Sequence, residues 1–268
     1  MKLSGRGGHA PIANIPNGSN IMTAAHVSLA DGKLMPALYD RLTFDLDHAR
    51  IRNSDTTVDD VIELIESSKT PLQVVTGLGM EGTDLVAAFA YAALGGPDSL
   101  GLPLIQGEPS RPDVVDGLRE ASLAILYPRT PKPIRLALAA GLLQVFDFWE
   151  ESHIAAQEAD DLGERGSSAY WHAIIHRREP DHSNAEYWLR RMGKHPILPL
   201  VADQAGALIQ ESGLSWASRL VSEGRWEPVA FLHACRAAAP GSPDETLARR
   251  LQRIEMLVLL EFSLHDLI

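Results

Sequence analysis

Between Gly163 and Pro196 the chain is cut into helix-length pieces by residues that helices do not tolerate. Gly163 and Gly166 open the stretch, Pro180-Asp181 interrupts it, and Gly193 and Pro196 close it. Glycine favours helix C-termini, and proline cannot continue a helix. The spacing therefore predicts a helix over Ser168–Glu179 and a second one beginning at Ser183. Ser183 and Glu186 have capping-box spacing, and Arg190 and Arg191 fall in the last turn, where cations favour the helix dipole. The short connection Leu162–Ser167 makes the helices on either side of it antiparallel neighbours.

The same punctuation recurs along the chain. Apolar periodicity predicts helices over Thr57–Ser67, Thr83–Leu94 and Pro112–Leu126, then a long one from Ile134 to Asp161. Leu198–Glu211, Trp216–Ser222 and Pro228–Ala238 follow. The last helix opens at Ser242-Pro243-Asp244-Glu245, an N-cap serine with proline at the first helical position. Its second half is apolar nearly all round, which suits the centre of a core or the interface of a homo-oligomer. The only strand candidate is Leu72–Val75. The expected fold is all-α, a multi-helix bundle of packed helical hairpins with little or no β-sheet. Residues 1–21, rich in Gly, Asn, Pro and Ser, read as a disordered N-terminal arm, and residues 22–268 as a single helical domain. Translation from Met1 and from Met22 both fit this division.

Charge and cysteine content exclude several classes of function. Lys and Arg number 24 against 35 Asp and Glu, a net charge of -11. Such a surface repels nucleic-acid backbones and anionic membranes. The longest apolar run, Ile254–Leu264, is too short to span a bilayer and carries Glu255 and Glu261. The chain has one cysteine, so an intramolecular disulfide and a cysteine-based zinc site are both excluded. Cys235 sits in an apolar helical stretch and reads as a buried thiol. With no export signal in the first residues, the expected location is the cytoplasm.

Gly77-Leu-Gly79-Met-Glu-Gly82 matches the dinucleotide-binding fingerprint and follows an apolar run. A helix precedes that run instead of a first strand, and no second strand follows. Asp98, at roughly the ribose-binding distance, stands after Gly-Gly-Pro instead of at a strand end. The motif reads as a tight interhelical turn.

The chemistry-capable residues gather between Asp147 and Pro196. Leu142, Val145, Phe146 and Trp149 form an apolar stripe that continues into His153 and Gln157, so a buried face turns polar. His172 and His176 stand one turn apart on the following helix, spaced so that both imidazoles can reach one ion. An antiparallel pair of helices brings His153 and Gln157 to face them. Three histidines with an open position form a catalytic type of site for a divalent metal, zinc or iron. Glu179 and Asp181 are then the candidate acid/base carboxylates, with Asp147 near the far end. Arg177, Arg178 and Arg191, with Asn184, Tyr187 and Gln157, are candidates for holding a small anionic ligand. Tyr170, Trp171, Tyr187 and Trp188 supply either helix packing or a pocket wall. The alternative is a non-catalytic scaffold or interaction module, in which these residues form a structural hydrogen-bond network.

The run from Trp171 to Trp188 reads W-H-x-x-x-H-R-R-E-P-D-x-x-N-A-x-Y-W, and Phe148-Trp-Glu-Glu-Ser-His153 precedes it. Together they resemble the signature of a bacterial and fungal protein family with no established activity. The resemblance spans Phe148 to Pro196 and implies that His153, His172 and His176 belong to one unit. Ala173, Ala185 and Pro196 are more loosely similar to a single tetratricopeptide-like helical hairpin. No neighbouring copy exists, so this implies a packing arrangement only.

Overall fold

The computed structural model describes residues 93–94, 99–109 and 111–265, with side chains as far as Ser263. All belong to one compact unit, Met35–Ile268. The N-terminal arm, the Thr57–Ser67 helix, the Leu72–Val75 strand, the glycine fingerprint and most of the Thr83–Leu94 helix lie outside the described residues. What is described is helical throughout, apart from loops and a two-stranded hairpin. Among these residues, no helix is long and apolar enough to cross a membrane.

A 3-10 turn at Pro112–Val114 leads into short helices α1 (Val115–Leu118) and α2 (Glu120–Leu126). The expected single helix breaks at Arg119, whose backbone is extended. Then come α3 (Lys132–Val145), α4 (Trp149–Asp161), α5 (Ser167–Arg178) and α6 (His182–Met192). Each runs antiparallel to its predecessor. Lys132 reaches Glu158 while Ser152 bonds to the Ala140 carbonyl, and His172 meets Trp188 while His176 meets Asn184. The chain continues through α7 (Leu198–Ser212), the hairpin β1 (Val221–Ser222) and β2 (Arg225–Trp226), α8 (Pro228–Ala237) and α9 (Pro243–His265).

The expected long helix from Ile134 to Asp161 is two helices, because the chain reverses at Asp147. Phe148 N–H donates to the Leu143 carbonyl at 3.0 Å, and Asp147 N–H to that of Gln144 at 3.2 Å. This is a Schellman ending. Asp147 holds its left-handed position, at φ 64°. Glycine is usual there, since another residue costs about 1–2 kcal/mol in that conformation. Phe148 and Leu143 are both buried and supply the accompanying apolar contact. With no Gly or Pro at the break, periodicity alone reads straight through it.

Helix α5 is the hub, buried at every residue from Ser167 to Arg178. Its first turn is capped by Glu164, whose carboxylate accepts from the amides of Gly166, Ser167 and Ser168. On the α3 side, Trp171 lies so close to Gly141 that a Cβ there would stand 2.6 Å from the indole. The hairpin at 221–226 turns on Glu223 and Gly224, both with positive φ. That is the geometry of a two-residue primed turn. The expected helix over Trp216–Ser222 is a 3-10 turn at Ala217–Leu220 that ends where β1 begins. Helix α9 starts as its sequence predicts, with Glu245 N–H donating to Ser242 Oγ at 3.1 Å. Its apolar half, Leu251–Leu260, is buried within the single chain.

Candidate functional site

His153 projects from α4, and His172 and His176 from α5. One ligand nitrogen from each lies within 4.8 Å of the other two. Ring centroids are 4.4 Å apart for His153–His172, 5.2 Å for His153–His176 and 4.9 Å for His172–His176. The i, i+4 spacing on α5 stacks its two rings, and His153 meets both edge-on from the facing helix. His172 and His176 are buried and His153 is half-buried, so solvent reaches the cluster from the α4 side.

Each α5 imidazole has its own surroundings. Trp188 of α6 stacks flat on His172, with centroids 3.8 Å apart. His172 Nδ1 is buried and has no hydrogen-bond partner. Burial, with His153 and His176 adding to it, lowers the His172 pKa to about 3. The ring is therefore neutral at physiological pH, the form that binds metals. His153 is also shifted down, by burial first and then by His176. His176 Nδ1 donates to Glu179 Oε2 at 2.8 Å, which in the neutral ring puts the lone pair on Nε2. The Asn184 amide nitrogen is 3.0 Å from Nε2 and 3.5 Å from Nδ1. An atom on the Nε2 lone-pair axis would be much farther from Nδ1 than from Nε2. The amide therefore rests against the ring and leaves that axis clear.

The other expected site residues are placed as follows. Glu179 orients His176, with its carboxylate partly exposed. Asp181 is exposed and caps α6, accepting from Asn184 N–H at 3.2 Å. The cap is thus Asp181 and not Ser183, and Glu186 pairs with Arg190 instead of closing a capping box. Gln157 donates to Asp161 on its own helix. Tyr187 is exposed, edge-on to Trp188.

The three arginines are committed elsewhere. Arg191 pairs with Asp160 through two hydrogen bonds. Arg178, fully buried, pairs with Asp147 at 2.6 Å and donates to the Pro103 carbonyl. Arg177, also buried, stands 2.6 Å from Glu255 of α9 and over the Phe231 ring. Glu255 Oε1 also accepts from Tyr170 and Trp226, at 2.8 and 3.0 Å. Sequence reasoning missed this buried network, although a carboxylate inside an all-round apolar helix was its signal. Cys235 lies beside it as a buried thiol, its pKa pushed up by burial to about 12.

A cavity of about 350 Å³, bounded by Trp216, Ala230, Ala234 and Asp244, shares no residue with the histidine cluster. No family model matches the chain, and neither does any curated protein or solved structure.

Proposed function

We propose that His153, His172 and His176 hold one divalent transition-metal ion, zinc or iron, and that the chain uses it for metal-assisted chemistry on a small carbonyl substrate. The observation that carries this reading is the convergence of three imidazoles from two helices. A buried His172 Nδ1 without a partner supports it, since orphaned buried polar atoms are rare and call for an explanation. Glu179 supports it too. A carboxylate on the far nitrogen of a ligating histidine fixes the tautomer and raises the basicity of the ligand.

Nitrogens about 2 Å from a tetrahedral ion stand about 3.3 Å apart. The rings have to draw together modestly from their present separation of up to 4.8 Å, and rotation about the broad terminal histidine torsion provides that. Three neutral ligands leave the ion its full charge and one open position, an arrangement that acidifies bound water and polarises carbonyl oxygens. Arg177, Arg178 and Arg191 each already hold an internal carboxylate. This favours a carbonyl substrate over an anionic one.

Equilibrium dialysis of metal-stripped protein against Zn(II) and Co(II) tests the reading. The expected result is one ion per chain in the wild type and none in His172→Ala or His153→Ala, with helical circular dichroism retained. A wild type that takes up no stoichiometric ion would refute it and leave the scaffold alternative, in which the ring cluster only locks α4, α5 and α6 together.

A further inference from the structure

The imidazole site draws on two helices, so it exists only while α4 keeps one offset beside α5. The rings themselves do not set that offset. Among the described residues, His153 meets its partners through ring contacts alone. Ser152 beside it ties α4 to α3, through the Ala140 carbonyl at 2.7 Å. Asp160 ties the far end of α4 to α6, through Arg191. Among the described residues, the polar tie from the turn before α4 to α5 is a single ion pair. Asp147, in the turn from which α4 departs, accepts from Arg178 Nη2 at 2.6 Å, and Arg178 is two residues beyond His176 on α5.

We propose that the Asp147–Arg178 pair is the positioning device of the histidine site, holding His153 in register with His172 and His176. The turn itself asks for glycine, because Asp147 stands at φ 64°. An aspartate there makes sense if its carboxylate has work that glycine cannot do. Its partner is held in turn. Arg178 is fully buried, its Nε donates to the Pro103 carbonyl, and its own carbonyl accepts from Gln106 N–H at 2.9 Å. From Asp147 to His153 is less than two helical turns, and from Arg178 to His176 about half a turn. The lever from the pair to the imidazoles is therefore short on both sides. The effect on ion affinity rests on the metal reading. The effect on ring proximity belongs to the metal-free protein and does not.

The test variant is Asp147→Gly/Arg178→Met. Glycine keeps the left-handed turn while removing the carboxylate, and methionine removes the charge that would otherwise be buried alone. Two readouts apply, the nuclear Overhauser effect between the His153 and His172 ring protons in metal-free protein and the Kd for Co(II). The expected result is a folded variant that loses the ring-to-ring signal and binds Co(II) 10–100-fold more weakly, in the range for outer-shell partners of metal ligands. Arg177→Met/Glu255→Gln, which breaks a buried pair on another side of α5, should keep both readouts and so controls for general destabilisation. If the double variant does not fold, Asp147→Gly alone is read in the same way. An unchanged ring signal in the folded variant would overturn the proposal. Loss of that signal in a protein whose wild type binds no Co(II) would uphold the positioning role and refute the metal reading.

Discussion

Trp188 lies flat on His172, with ring planes 14° from parallel and centroids 3.8 Å apart. The indole covers one face of an imidazole that the metal reading makes a ligand. A paramagnetic ion on His172 would then stand close enough to quench Trp188 emission. Titration with Co(II) should quench tryptophan fluorescence with a one-equivalent end point, and Trp188→Phe should remove most of that change. Equal fractional quenching in both proteins would show that the ion binds elsewhere.

The Arg177–Glu255 pair gives a prediction about stability. Both side chains are buried, and Glu255 has Tyr170 and Trp226 as further donors. Removing one charge strands the other in the core, which costs about 3–5 kcal/mol. Glu255→Gln and Arg177→Met should each lower the urea midpoint strongly. The double variant should lose less than the two losses combined, by a coupling on the order of 1–3 kcal/mol. Additive losses would mean that the two side chains stabilise the fold independently.

His195 predicts the acid side of the stability profile. The ring is buried against Tyr170 and Phe262, and burial holds its pKa down at about 4. In the unfolded chain it titrates near about 6.5. Between those values the unfolded state binds a proton that the folded state refuses. The contribution of His195 is therefore complete above the unfolded value and is lost as pH falls towards about 4. One such group adds a slope of about 1.4 kcal/mol per pH unit. His172 adds to the slope in metal-free protein, so the comparison must be with a variant. Urea midpoints of His195→Asn should fall less steeply across this window than those of wild type. Parallel curves would contradict the assignment.

What the sequence made legible was local punctuation. Pro180, Gly193 and the Ser242-Pro243 start place helix ends close to where they occur. The short Leu162–Ser167 link implied the antiparallel pair that brings His153 to His172 and His176. The break at Asp147 was not legible. A left-handed aspartate has no local signature, and the partner that compensates it, Arg178, is distant in sequence. The two-residue turn at Glu223-Gly224 was missed because strands this short carry no alternating pattern. The arginines looked like an anion clamp because local sequence shows charge but not what it faces. Glu255 and Asp160, which hold Arg177 and Arg191, come from other helices.

The most direct measurement is X-ray absorption at the zinc edge of the one-to-one zinc complex. A three-histidine site gives three imidazole ligands and one further light atom, at about 2.0–2.1 Å, and His153→Ala, which should hold no ion, gives no such spectrum. A wild-type spectrum with fewer than three imidazoles, or one that His153→Ala leaves unchanged, would contradict it.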